Sequence, residues 1–315
     1  MATSLLAAIV RHIARLRTVV RSQRTLLVVI GATLAGVTVP ALSAPLQPLL
    51  PALVAGLIFT GFYGFSVDEA TDQRVSTPVV VSLACLYLFV PVALYPLASV
   101  ALSGEILLGV LVVLSAPLAA GSSIIWTRLS GGNTVLTTVV VLASMGLAPL
   151  AMPSLIALLA DSAVEVSASE LVVELAAIVL AGGALAYAVP GGTVSEDTLD
   201  DFSVATIGVL IYAGVGGSTL AVEATQLAAV GAVAIGSIAL SAAVAYGLYA
   251  RGMRSDDCIT VLFSSSMKNM SVSVMVGAVV GGGTVVASIT AFYVVQQVVS
   301  SSLVRHLEGS VPGRS

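Results

Sequence analysis

Residues 263–277 read FSSSMKNMSVSVMVG. Lys268 is the only lysine in the chain, and it sits in the middle of a long apolar run. A charged lysine near the centre of a bilayer costs on the order of 3 kcal/mol on insertion scales. Lys268 lies roughly ten residues from either end of its run, too deep to snorkel fully. Three states are open to it. It is a neutral amine, because burial disfavours the charged form. Or it is paired, although no Asp or Glu lies in the central third of any apolar run. Or it faces a polar cavity, which the neighbouring Ser264, Ser265, Ser266, Asn269, Ser271 and Ser273 favour. An ionisable residue inside a membrane is functional by default, so Lys268 is the first candidate for the site.

The rest of the chain says why this is a membrane problem. Of 315 residues, 58% are hydrophobic and 9% charged, and the mean hydropathy is +1.09. A soluble domain is about a quarter charged, so these residues cannot furnish a polar surface. Lipid admits only helices or closed barrels, and the runs are long and unbroken rather than short and alternating, so helices are expected. Ten spans follow: 25–43, 46–65, 77–98, 104–129, 133–160, 168–189, 202–220, 224–250, 256–278 and 282–304. The expected fold is an all-α polytopic membrane protein.

Orientation follows from the arginines. With the N-terminus inside, the inner loops and tail hold Arg74, Arg128, Arg251, Arg254, Arg305 and Arg314, and the outer loops hold no Lys or Arg. Residues 1–24, with Arg11, Arg15, Arg17, Arg21 and Arg24, read as an amphipathic helix on the cytoplasmic surface. A multi-pass protein of the cell membrane with both termini cytoplasmic is expected. Residues 25–160 and 161–305 then form two five-span halves of opposite orientation, with a cytoplasmic tail at 306–315.

The fourth span of each half is the odd one. The first contains SAPLAAGSSIIWTRLSGGN (115–133), with Pro117, Gly121 and the pair Ser122 and Ser123; the second contains the Lys268 stretch. Interrupted spans at matching positions in inverted halves point to a transporter's midplane site. Asn133 reads as the N-cap of the fifth span. Pro40, Pro51, Pro91 and Pro149 read as ordinary kinks. Ser265-Ser266-Met267-Lys268 matches the S-x-x-K spacing of penicillin-binding enzymes, but the S-D-N and K-T-G companions are missing. His12 and His306 stand near the termini and Cys85 and Cys258 have no CxxC partner, so no cluster has metal spacing and no cofactor is expected. The composition gives no nucleic-acid partner; lipid is the expected one.

At these two spans the sequence resembles the bile acid:sodium symporter family. APLAAGSSIIWTRLSGGNTVLTTVVVLASMGLAPLAMP is similar to that family's first crossing-helix region, and SSSMKNMSVSVMVGA to its second. The resemblance implies two inverted five-helix repeats, a panel and a core domain, broken helices four and nine crossing in the core, and sodium bound beside the crossing. It places the family serine on Ser123, its asparagine partner on Ile124, a sodium-site hydroxyl on Thr137 and a further threonine on Val141. The sodium-binding glutamate falls on Ser264, the glutamine on Lys268, and the next asparagine is kept as Asn269. Ser122, Ser123, Asn133, Thr137, Ser264, Lys268 and Asn269 are therefore the candidate substrate and ion residues. A carboxylate lost and an amine gained shift the local charge towards positive and repel Na⁺. The implied function is secondary transport of a small organic anion by alternating access, without sodium, as a uniporter or coupled to protons. Sodium-coupled symport and an intramembrane Ser–Lys hydrolase are the alternatives. An arsenite-type carrier is disfavoured, because the fourth span has no thiol.

Overall fold

A computed structural model describes residues 24–63, 76–160, 168–216 and 223–308. The expected amphipathic segment at 1–24 and the tail at 306–315 lie almost wholly outside the described residues. Among the described residues the regular elements are helices: α1 (Arg24–Thr38), α2 (Leu50–Phe62), α3 (Thr77–Ala101), α4 (Gly104–Ser115), α5 (Ala120–Leu129), α6 (Thr134–Leu159), α7 (Ala168–Ala188), α8 (Glu196–Gly216), α9 (Ala224–Ala250), α10 (Ser255–Ser266), α11 (Met270–Val280) and α12 (Gly282–Glu308). Each of the ten expected spans contains one or two of them. The interruptions at 116–119 and 267–269 fall inside the fourth and ninth spans, as the sequence predicts.

Among the described residues five helices are long and apolar enough to cross a membrane unaided: Thr77–Ala101, Thr134–Leu159, Asp197–Gly216, Ala224–Ala250 and Gly282–Val304. The protein is therefore a polytopic helical membrane protein. Of the other expected spans, the first is bent, the second is short (Leu50–Phe62) and the fourth and ninth are broken. The first differs most from expectation. It does not run straight over 25–43: the helix stops at Thr38 and resumes over Pro40–Leu46, bent by 91°. The cause is Pro40, which forces Val39 out of the helical region, to φ −137° and ψ 70°. Pro45 and Pro48 follow within two turns, so only a four-residue α-helical turn (Ser43–Leu46) and a 3-10 turn (Gln47–Leu49) form before α2, where Pro51 sits harmlessly in the first turn. Tyr212 of α8 closes the bend, donating from its hydroxyl to the Val39 carbonyl at 2.6 Å and accepting from the Leu42 N–H at 3.2 Å.

Lipid tails are as apolar as leucine, so helix association rests on close packing. α1 packs along α8, and α2 along α7 and α8. The broken spans α4–α5 and α10–α11 pack among α3, α6, α9 and α12. α8 joins the two groups through α11 and α12. α4 approaches α12 closely at Gly109. There a Cβ on Gly109 would stand 1.8 Å from the Ser288 hydroxyl, so only glycine lets the backbones meet.

Candidate functional site

The site begins with two helix stops. Pro117 pushes Ala116 to an extended conformation (φ −68°, ψ 151°), ending α4. Met267 (φ −84°, ψ 88°) ends α10, and Asn269 (φ −79°, ψ 105°) opens α11. The exposed backbone groups of one break are satisfied by the other. The Ala119 N–H donates to the Met267 carbonyl and the Asn269 N–H to the Pro117 carbonyl, both at 2.9 Å. Leu118 and Lys268 thus form an antiparallel bridge, and the two broken spans cross there.

Side chains complete each break. The Leu118 N–H donates to Ser144 Oγ of α6 at 3.1 Å. The Lys268 N–H donates to Gln296 Oε1 of α12 at 3.1 Å and also to the Ser266 carbonyl at 3.1 Å, and Gln296 Nε2 returns a bond to the Lys268 carbonyl at 3.4 Å.

The Lys268 side chain is 1% exposed. Its Nζ donates to the carbonyls of Leu86 and Leu114, each at 2.7 Å. Both carbonyls are free for local reasons. α3 contains a π-turn over Cys85–Phe89, in which the Val90 N–H bonds back to the Cys85 carbonyl. The next donor in that register is residue 91, a proline, which has no N–H. Leu86 is therefore left without a helical partner. Leu114 loses its partner because the Leu118 N–H goes to Ser144. Leu114 also sits in the last turn of α4, where the helix dipole favours a cation. An ammonium has three donors, and two are used here. Besides Lys268, a narrow crevice beside the crossing is lined by Val113, Met270, Ser273, Ile289, Phe292, Tyr293 and Gln296. It is too tight for a water-sized sphere.

The remaining candidates divide into two sets. Asn133 Oδ1 accepts from the Leu136 N–H at 3.2 Å, so it is the expected N-cap of α6. Asn269 Oδ1 caps α11 in the same way, from Val272 at 3.2 Å. The Thr137 hydroxyl donates to Thr127 Oγ1 at 3.2 Å and the Asn133 carbonyl at 3.1 Å. Thr260 accepts from the Asn133 N–H at 2.9 Å, tying α10 to the start of α6. Ser123 is one turn before Thr127 and donates to the Ala119 carbonyl at 2.6 Å. Ser264 is one turn after Thr260; among the described residues its buried hydroxyl has no partner, and neither has that of Ser122. No hydrogen bond joins the Lys268 ammonium to any of these side chains among the described residues. Ser265 Oγ donates to the Val261 carbonyl at 2.7 Å, so Ser265 and Lys268 are not hydrogen-bonded to each other.

Sequence reasoning passed over Leu86, Leu114, Pro91, Ser144 and Gln296. Pro91 is more than a kink: it leaves the Leu86 carbonyl open. The only available signal for Gln296 was the pair Gln296-Gln297, the two amides of a final span whose other hydrogen-bonding side chains are hydroxyls.

Residues 67–213 match the family model described as Sodium Bile acid symporter family. The match includes the first broken span and stops before the second, and it supports membership in that family. The family is one of membrane transporters. No curated protein matches the chain.

Proposed function

We propose that this chain, taken as a sodium bile acid symporter family protein, carries a small organic anion by alternating access without sodium, with the Lys268 ammonium in place of a bound cation. The observation that carries the reading is the pair of 2.7 Å bonds from Lys268 Nζ to the Leu86 and Leu114 carbonyls at the crossing. Main-chain carbonyls at helix ends are the oxygen ligands that suit a small cation. Here a tethered ammonium holds one at the end of α4 and a second that the π-turn within α3 leaves open. A uniporter keeps this charge fixed; a proton-coupled carrier releases and reloads it.

The oxygen donors at the other candidate positions suit sodium poorly. Ile124 offers no oxygen. The Asn133 and Asn269 side-chain oxygens are engaged as helix caps. Ser264 offers a neutral hydroxyl where the resemblance places a carboxylate. The anion would be attracted by the positive field of the ammonium and by the N-termini of α5 and α11, which both start at the crossing.

The test is uptake of organic anions into proteoliposomes with and without Na⁺ and pH gradients. Uptake that needs no Na⁺ and is lost in Lys268→Ala supports the reading. A strong Na⁺ requirement favours the symporter reading instead, and unchanged uptake in Lys268→Ala removes the ammonium from the mechanism.

A further inference from the structure

Gln296 makes the one side-chain contact that spans both polar groups of the Lys268 peptide. Its amide oxygen takes the Lys268 N–H at 3.1 Å and its amide nitrogen reaches the Lys268 carbonyl at 3.4 Å. It is 1% exposed and lines the same crevice as Lys268. One turn further along α12, the Ser300 hydroxyl donates to Met267 Sδ at 3.6 Å. α12 therefore grips the second break at two consecutive residues.

The first break has no such grip. Ser144 satisfies the Leu118 N–H, but no side chain is bonded to the Leu118 carbonyl among the described residues. The side chain at position 118 is an apolar leucine, which has no atom to aim. At position 268 the side chain must span from α10–α11 to two carbonyls 154 and 182 residues away in sequence. A lysine has four rotatable bonds and about 2 kcal/mol of rotamer entropy, so its reach is fixed only if its own backbone is fixed. An amide both accepts and donates in one plane, which suits it to the N–H and the carbonyl of one residue.

We infer that Gln296 is the positioning residue for Lys268: its amide holds the Lys268 peptide so that the ammonium bridges Leu86 and Leu114. This deepens the reading of Lys268 as the fixed charge of the site and rests on it, yet it can be tested without transport. Lys268 is the only lysine, so incorporating [13Cε,15Nζ]lysine gives one side-chain signal in the full-length protein in nanodiscs, with no assignment needed.

Three proteins are compared by this signal and by the rate at which acetic anhydride acetylates Lys268. In Gln296→Leu the signal is expected to move and broaden, and acetylation to rise about tenfold, the effect of one lost hydrogen bond. Gln296→Glu is the internal control against misfolding. A protonated carboxyl accepts and donates as the amide does; a carboxylate can take the N–H but cannot donate to the carbonyl. One preparation of Gln296→Glu should therefore match the wild type at acid pH and depart from it, reversibly, as the new carboxyl ionises. Wild-type spectra and acetylation rates in Gln296→Leu overturn the assignment, as does a Gln296→Glu signal that follows the wild type at every pH. If the wild type takes up no organic anion while these changes appear, the transport reading fails and the positioning role stands.

Discussion

The break at 116–119 and the break at 267–269 face each other through one antiparallel bridge, with Leu118 on one side and Lys268 on the other. Their N–H groups are treated alike. Each bridge residue has its N–H taken by a polar side chain from a later helix of its own half, Ser144 for Leu118 and Gln296 for Lys268. Each second half-helix starts soon after the break, α5 at Ala120 and α11 at Met270. The side chains are treated differently. Leu118 is buried among apolar neighbours, whereas Lys268 sends its ammonium into the other half, to the open end of α4 and the π-turn of α3. The crossing is nearly symmetric in its hydrogen bonds and one-sided in its charge. A single cation therefore serves the pair, and both halves depend on the residue that one of them supplies.

The comparison is broken most severely by removing that residue. Lys268→Met keeps the length of the side chain and drops its donors, leaving two buried carbonyls unpaired. We expect a loss of about 2–5 kcal/mol, read as a lower midpoint of thermal unfolding in detergent, and anion uptake below a tenth of wild type. In Lys268→Ala, n-propylammonium restores the missing atoms, so partial recovery of the unfolding midpoint with this amine, absent with propanol, would show that the cradle recognises a cation.

Placing the charge on the other side should fail. Leu118→Lys puts an ammonium where no pair of open carbonyls has been prepared, and we expect destabilisation of about 3 kcal/mol, whereas Leu118→Met should stay within about 1.5 kcal/mol. Equal midpoints for the two variants would mean that the asymmetry of the crossing has no structural basis. A smaller effect is expected from Pro91→Ala. It restores an N–H in register with the Leu86 carbonyl, which then competes with the ammonium; a shifted single-lysine signal with a nearly unchanged midpoint checks this. The caps should be matched: Asn133→Ala and Asn269→Ala each remove one N-cap and should each cost about 1 kcal/mol. Last, Ser264→Ala removes a buried hydroxyl with no partner. We expect it to be neutral or slightly stabilising and to leave uptake independent of Na⁺; uptake that Na⁺ stimulates in the wild type but not in Ser264→Ala would make Ser264 an ion ligand after all.

Much of this was legible before the coordinates. Apolar run lengths place the helices, because the bilayer fixes what a span must be. Pro117 and the polar cluster around Lys268 mark the two breaks for the same reason that they cause them. The Asn133 cap follows from a Gly-Gly-Asn before an apolar run. What stayed hidden was the receiving side of the ammonium. Its partners are main-chain carbonyls, so no side chain at positions 86 or 114 announces them, and they are open only because of a π-turn, a proline and a diverted N–H. Gln296 was hidden because a buried amide in an apolar helix reads as a packing residue until the peptide it holds is known. The bend in the first span was misjudged because Pro40 was weighed alone, not with Pro45 and Pro48.

The π-turn of α3 has a consequence for insertions and deletions. A turn of this kind holds one residue more than the α-helix around it, and each residue of an α-helix corresponds to about 100° of rotation. Deleting one residue within 85–89 removes that extra residue, so α3 closes into a regular helix with its two halves still in phase, whereas a deletion elsewhere in Thr77–Ala101 would turn one half by that angle against the other. Only in the second case do residues such as Val79 and Ser82 lose their buried positions relative to the far half. When the deletion falls within 87–89, Pro91 comes to stand four residues after Leu86 and still has no N–H to offer, so the carbonyl that receives Lys268 stays open. A loss of one residue would thus be absorbed at the π-turn and act as a frame error elsewhere in the same helix.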